Sequence, residues 1–479
     1  PEPDPGNPLI NPYTDLANHP NRFSSSFNYT DEVGYRHTRA VMEALAARYS
    51  RPDAAAGLVQ RLIIGNEVNS HWFWYNLGEV PASFVVSQYS DAMRAADIAF
   101  RTTHPGLRAF ISMDHFWNGF IGSNSLRAMP GKKLLDDFNT AQVARGNYPW
   151  NLAHHPYPED LFEPDFWNDT SATFSFMSTR VTFKNVEVLP AYLGQAGFLA
   201  DNQRRRIIFS EQGFHGPGTT QGLNLQAAAY AYSYRKLSNM PELDAYILHR
   251  HVDFEGEGGL DLGLWINDDS AAPANPALPV TKKPSWFVFQ AADQPNWQQV
   301  FDPYLPLTGL SSWEQALPRR TGIEFLFEDG LEQWYSANQT SGLVAVDGQM
   351  VLTSTGEDPF LRRDSMFIGP GSVEEVFIRM SATGGAEGQL FWTTTASGGF
   401  SESKSQKFPI IADGQQRIYQ VNLAANPEWA GRIITGLRLD PVQGAGAPGA
   451  QVAIDYIVGG RAGQFALPGD PSAWMLVGP

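Results

Sequence analysis

From Arg61 to about Ala292 the chain alternates short apolar runs with helical stretches, and no other feature limits its fold as much. Strand candidates fall at 61–65 (RLIIG), 107–113 (LRAFISM), 150–154 (WNLAH), 206–210 (RIIFS) and 243–248 (LDAYIL). Helical patterns lie between them at 87–103, 132–145, 186–200 and 223–238, with another at 31–49 before the first strand and one at 284–292 after the last. Nearly continuous apolar strands separated by helices are what a parallel sheet covered on both faces requires. The predicted class for this part is α/β.

The pattern changes after about Asp293. Pro295, Pro303, Pro306 and Pro318 lead into a region without long helical periodicity. Runs at 373–380, 389–395, 418–421, 433–439 and 452–457 alternate or are β-branched, with Gly, Asp and Asn turns between them. This reads as an all-β sandwich. The expected organisation is an α/β domain over 1–300, a linker over 301–320, a β-sandwich over 321–465 and an extended tail over 466–479.

With 479 residues and 43% hydrophobic content, the chain has material for more than one core. A net charge of −16 sets its surface against phosphate backbones and anionic lipid, so neither nucleic acid nor a membrane is an expected partner. The absence of cysteine removes disulfides, thiolate chemistry and Cys-ligated zinc, and fits a secreted or periplasmic protein. The opening PEPDPGNPLINP resembles the inside of a longer precursor.

Chemistry concentrates where two strands end. In Ile63-Ile64-Gly65-Asn66-Glu67-Val68-Asn69 a buried run stops at a polar pair, followed by His71, Trp72 and Trp74. In Ile207-Ile208-Phe209-Ser210-Glu211-Gln212-Gly213-Phe214-His215 a second strand ends in a glutamate. Parallel α/β folds bind ligands outside the carboxyl ends of their strands. Two facing carboxylates there can cleave a glycosidic bond, one as acid and the other as nucleophile or base. The acid needs a raised pKa, and the partner must stay ionised. Ten histidines raise the question of a metal, but no HExxH or carboxylate-rich loop accompanies them, and none is expected.

The strand-Asn-Glu motif, followed after two intervening strands by a strand ending in Glu, resembles the clan A glycoside hydrolases. The resemblance implies an eight-stranded (β/α), TIM-type barrel with Glu67 as acid/base after strand four and Glu211 as nucleophile after strand seven. It implies a retaining O-glycosyl hydrolase acting on a polysaccharide or oligosaccharide by double displacement. Asn66 would bind the sugar hydroxyl next to the anomeric carbon, and either His155 or Tyr157 would hold the nucleophile. Asp114, His115, Trp72, Trp74 and His215 are further substrate-binding candidates. The last strand ends in His249-Arg250-His251 where many clan members carry a tryptophan platform, so His249 and His251 join the candidates, and Trp265 or Trp117 would supply the platform. Only about 60 residues precede the first strand, so strands one to three are expected to be absent, with an N-terminal segment completing the barrel. The 321–460 region resembles galactose-binding-like sandwiches, with Phe400, Trp392 and Trp429 as glycan-contacting candidates; a structural Ca²⁺ there is left open. The rival readings are a non-catalytic carbohydrate-binding protein on the same barrel and a polysaccharide lyase.

Overall fold

Helix α1 (Glu32–Tyr49) leads into β1 (Arg61–Ile64), and a regular alternation follows: α2 (Ala82–Thr103), β2 (Arg108–Met113), α3 (Gly131–Ala144), β3 (Asn151–His154), α4 (Val188–Leu193), β4 (Ile207–Phe209), α5 (Thr220–Leu237) and β5 (Leu243–Tyr246). These features come from a computed structural model that describes residues 4, 6–19, 24–268, 278–464, 466–469 and 475–477. The five strands form one parallel sheet in sequential order. After β5 come a two-stranded ribbon of β6 (Trp265–Asn267) and β7 (Pro279–Lys282), then α6 (Pro284–Ala291) and α7 (Trp297–Phe301).

The sheet is strongly curved. Asp244 on β5 accepts from Arg61 of β1 at 3.4 Å, from Arg206 at 2.7 Å, and from Arg108 of β2. In a flat sheet, four strand spacings would separate β1 from β5 by about 19 Å. Side chains from the first and last strands meet only because the five strands bend into an arc. Among the described residues β1 and β5 are its two edges, and the arc does not close on itself.

The chain forms two compact units: Pro1–Val186 with Gln203–Leu317, and Glu187–Asn202 with Pro318–Pro479. The 186–200 segment, expected as one helix, is instead the short α4 followed by a single turn at Ala196–Phe198. Gly194 and Gly197 account for the break, because glycine is costly inside a helix. It groups with the second unit. The 301–320 segment is not an extended linker: Asp302–Thr308 and Trp313–Ala316 are helical turns with Trp313 and Ala316 buried, and Trp313 packs on Phe301. Pro303 sits in the first turn of Asp302–Thr308, where the missing N–H costs little, Pro306 lies further inside that helix, and Pro318 follows the end of the next turn.

The second unit is an antiparallel sandwich. One sheet joins β10 (Thr340–Val346), β11 (Gln349–Ser354), β18 (Gln451–Gly460), β13 (Glu375–Ala382), β16 (Arg417–Asn422) and β19 (Leu476–Val477), with β8 (Ile323–Phe325) also on β18. The other runs β15 (Ser405–Pro409), β14 (Glu387–Thr394), β17 (Ile434–Gln443), β12 (Phe360–Arg363) and β9 (Tyr335–Asn338). Leu390, Trp392, Leu437 and Leu439 of one sheet meet Ile378, Met380, Ile454 and Ile457 of the other in a single core. Trp392 and Trp429, expected as glycan contacts, belong to that core, and their indole N–H groups donate to the carbonyls of Glu428 and Val373. Among the described residues no helix is long and apolar enough to cross a membrane.

Candidate active site

The carboxyl ends of β1, β3 and β4 converge on one cluster. Beyond β1 the chain turns through Gly65 at φ +75°, where a Cβ would stand 2.8 Å from the Tyr75 ring. Glu67 itself lies in the left-handed region at φ 43°, ψ 55°. A non-glycine residue there costs on the order of 1–3 kcal/mol and persists only where its surroundings enforce it. Here the Glu67 N–H donates to Ser112 Oγ of β2 at 2.9 Å, and its carbonyl accepts from the Ser70 N–H at 2.8 Å. Tyr89 of α2 braces the same turn, donating to the Ile64 carbonyl and accepting from the Ser112 N–H. A π-helical turn, His71–Tyr75, follows; such turns recur at functional sites.

Two residues at the end of β3 reach the two glutamates. His155 Nδ1 lies 2.7 Å from Glu67 Oε1 and 4.0 Å from Glu211 Oε2, while its Nε2 lies 3.0 Å from Ser210 Oγ. The Tyr157 hydroxyl donates to Glu211 Oε1 at 3.1 Å. Where the sequence left His155 and Tyr157 as alternatives for one role, the structure gives each its own carboxylate. One ligand-type atom from each of Glu67, His155 and Glu211 lies within 4.8 Å of the others. In a flat sheet the ends of β1 and β4 would stand about 14 Å apart, so the curvature of the sheet brings the glutamates together. Behind Glu211, Gly213 passes so close to the end of β5 that a Cβ would fall 2.0 Å from the His249 carbonyl oxygen. The His249 N–H donates to the Gln212 carbonyl at 2.7 Å.

The two carboxyl groups have different surroundings. Glu67 is buried, its side chain 10% exposed, whereas that of Glu211 is 33% exposed. Burial pushes the Glu67 carboxyl up to about 7, helped by the negative charges of Asp114 and Glu211 and opposed by His155. Burial pulls His155 down, but Glu67, Glu211 and Asp114 outweigh it and hold the imidazole above its ordinary value. Burial and the two glutamates raise the Tyr157 hydroxyl, which keeps its proton as a donor to Glu211. The neighbouring His154 is pulled down to about 3 by burial and stays neutral.

Several expected contact residues are committed elsewhere. Asp114 is buried and accepts from Asn69 Nδ2 at 2.5 Å, from the Phe116 N–H at 2.8 Å and from the Ser70 hydroxyl, so it fastens the Glu67 turn. Trp72 is buried, donates to Asp15 Oδ2 at 3.2 Å and lies under the Arg127 guanidinium. Trp117 is buried and donates to the Phe176 carbonyl. His115 is held by the Tyr157 carbonyl at 3.0 Å, and His215 accepts from the Asp261 N–H at 2.9 Å. The other candidates remain accessible: Trp74 and His251 are exposed, and Asn66, Tyr157, His249 and Trp265 are half-buried. His249 Nε2 stands 3.4 Å from Glu257, which also pairs with Arg250 at 2.6 Å. Sequence reasoning missed Ser112, Asn69, Ser70 and the bridging role of Ser210. Only the position of Ser210 directly before Glu211 offered a signal.

Glu67, His155 and Glu211 each offer an atom of a kind that ligates cations. Two ligands around a tetrahedral zinc at about 2.0–2.2 Å stand roughly 3.3 Å apart, whereas Glu67 and His155 approach to 2.7 Å, a proton-sharing distance.

Residues 3–316 match the profile of a family described as one of unknown function, DUF5722. The chain belongs to that family. No curated protein matches this DUF5722 member by sequence. Among solved structures it is similar to a family 39 glycoside hydrolase from the gut symbiont Bacteroides cellulosilyticus WH2, at 13% identity over 88% of this chain and 64% of that one, with a TM-score of 0.36. A glucosidase from Croceicoccus marinus aligns at 12% identity over 87% of this chain and 74% of that one, with a TM-score of 0.34. The N-terminal cellulose-binding domain of Cellulomonas fimi β-1,4-glucanase C aligns at 13% identity over 31% of this chain and 99% of its own, with a TM-score of 0.24. All three scores lie below 0.5.

Proposed function

We propose that the chain is a retaining glycoside hydrolase with Glu67 as acid/base and Glu211 as nucleophile. The observation that carries this reading is a pair of carboxyl groups with oxygens within 4.8 Å, one buried and raised to about 7, the other a third exposed. A close pair of this kind suits direct attack on the anomeric carbon, since retaining enzymes hold their carboxyl groups about 5–5.5 Å apart and inverting ones about 6.5–9.5 Å. Tyr157 occupies Glu211 Oε1, which leaves Oε2 to form the bond to C1. Glu67 protonates the departing glycosidic oxygen, then takes the proton of the water that frees Glu211. Asn66, Trp74, His249, His251 and Trp265 remain the sugar-contacting candidates. The substrate class is a polysaccharide or its oligosaccharides.

The test is a screen of the purified protein against polysaccharides and 4-nitrophenyl glycosides, alongside Glu211→Gln and Glu67→Ala. Glu211→Gln should abolish turnover of every substrate found. Glu67→Ala should spare bond cleavage in aryl glycosides and cripple natural glycans, because only poor leaving groups need protonation. Glycan binding without turnover in the unaltered protein would replace this reading with a carbohydrate-binding one.

A further inference from the structure

Retaining hydrolysis by two glutamates leaves His155 without a role, yet His155 is the most enclosed member of the cluster, with its side chain 2% exposed. One ring nitrogen bonds the acid/base, the other bonds the hydroxyl of the residue immediately before the nucleophile, and the ring stands between the two carboxylates. We propose that Glu67 and His155 hold the catalytic proton jointly, with Ser210 fixing the far side of the ring, so that the acid/base is a pair and His155 its positioning residue. The proposal rests on the glycosidase reading for its kinetic consequence but not for the pairing itself.

The groups facing His155 are Glu67 from the end of β1, Asp114 from the end of β2, Glu211 and Ser210 from the end of β4, and its chain neighbour His154. Three of these are carboxylates and His154 is held neutral by its burial, so the surroundings favour a second proton-holding site beside Glu67. The raised value of His155 despite its burial agrees with this. In the first half-reaction the shared proton passes through Glu67 to the departing glycosidic oxygen. The C1–O bond breaks as Glu211 Oε2 bonds C1, and a carboxylate beside a neutral imidazole remains. In the second half, water bonds C1, the bond to Glu211 breaks, and the water proton returns through Glu67 to the pair. Without His155 the proton has one holder, which loses it at lower pH.

The first arm of the test needs no substrate. Two-bond ¹H–¹⁵N spectra of the full chain report which nitrogens of each of its ten histidines carry protons, and His155→Gln assigns the signal. The pairing predicts that His155 has both nitrogens protonated near pH 7 in the unaltered protein and becomes neutral in Glu67→Gln. A neutral ring near pH 7, or one whose state ignores Glu67, overturns it. The second arm is the pH profile of kcat/KM on a glycan that the protein hydrolyses. His155→Gln should move the basic limb down by more than about one pH unit, and Ser210→Ala should move it less in the same direction. Ser210→Thr, which keeps the hydroxyl, should restore it. An unmoved basic limb in a folded His155→Gln protein assigns the proton to Glu67 alone and overturns the proposal. If no hydrolysis is found, the glycosidase reading falls while the spectra still decide the pairing, so the two failures are distinguishable.

Discussion

Glu67→Gln isolates the cost of holding a buried carboxyl beside two other acidic groups. Gln has nearly the shape of a protonated glutamic acid and cannot ionise. The Glu67 carboxyl is raised from 4.5 to about 7 in the fold, which at about 1.4 kcal/mol per pH unit is a penalty of ~3 kcal/mol on its ionised form. The sign follows from linkage. Below pH 4.5 the group is protonated both folded and unfolded, and the substitution does nothing through this route. Between pH 4.5 and 7 the unfolded chain ionises while the fold resists, so the unaltered protein loses stability until both states are ionised. At pH 8.5 Glu67→Gln should therefore be more stable by up to ~3 kcal/mol, on the order of 5 °C in Tm for a unit of this size. At pH 5 it should be no more stable, and less so by whatever the His155 contact contributes there. Calorimetric scans of both proteins at the two pH values measure the difference. A stability difference that is the same at pH 5 and 8.5 would refute the argument that burial and neighbouring charge raise this carboxyl.

Three further predictions follow from contacts at the site and beneath it. Tyr157→Phe removes the hydroxyl that donates to Glu211, and a hydrogen bond to a charged group of about 1.5–3 kcal/mol corresponds to a roughly 10–100-fold fall in kcat/KM with the fold intact by circular dichroism. Gly213→Ala places a Cβ 2.0 Å from the His249 carbonyl oxygen, so it should lower Tm and abolish turnover together, and an active, equally stable variant would show that the two chains can part freely. Asp244→Asn leaves Arg61, Arg108 and Arg206 without their shared counter-charge, and because those arginines are 31–45% exposed the expected loss is about 1–2 kcal/mol. Burial raises the Asp244 carboxyl, but the hydrogen bonds and charges of Arg206 and Arg108 outweigh it and hold the group below its ordinary 3.8, so this stability is present above about pH 4 and declines as acid protonates the group; the difference in urea midpoint between the two proteins should be smaller at pH 3 than at pH 7.

The parallel sheet was legible because each of its strands is an apolar run broken by helix-length spacers, and the strand ends marked the two glutamates. Curvature was not legible. It shows where Asp244 meets arginines 38 to 183 positions away in the chain, a relation that no local pattern carries. α2 begins at Ala82, five residues before the expected start, because Pro81 precedes its first turn and Phe84 to Val86 continue its buried face. The substrate-contact residues were the least legible part. Trp72, Asp114 and His215 look like a sugar site in sequence, and each is taken up by a partner that only the fold supplies: Asp15, the Asn69–Ser70 turn and the Asp261 N–H. Strands β9 and β10 were not legible because they lie at sheet edges with largely exposed faces, as in Tyr335–Asn338.

The most direct test of the central claim is the anomeric configuration of the first sugar released, followed by ¹H NMR from the moment of mixing with a glycan that the protein cleaves. Double displacement through Glu211 predicts that the released anomer has the configuration of the bond that was cut, with mutarotation appearing only later. First release of the opposite anomer would make Glu211 a base rather than a nucleophile and would contradict the account.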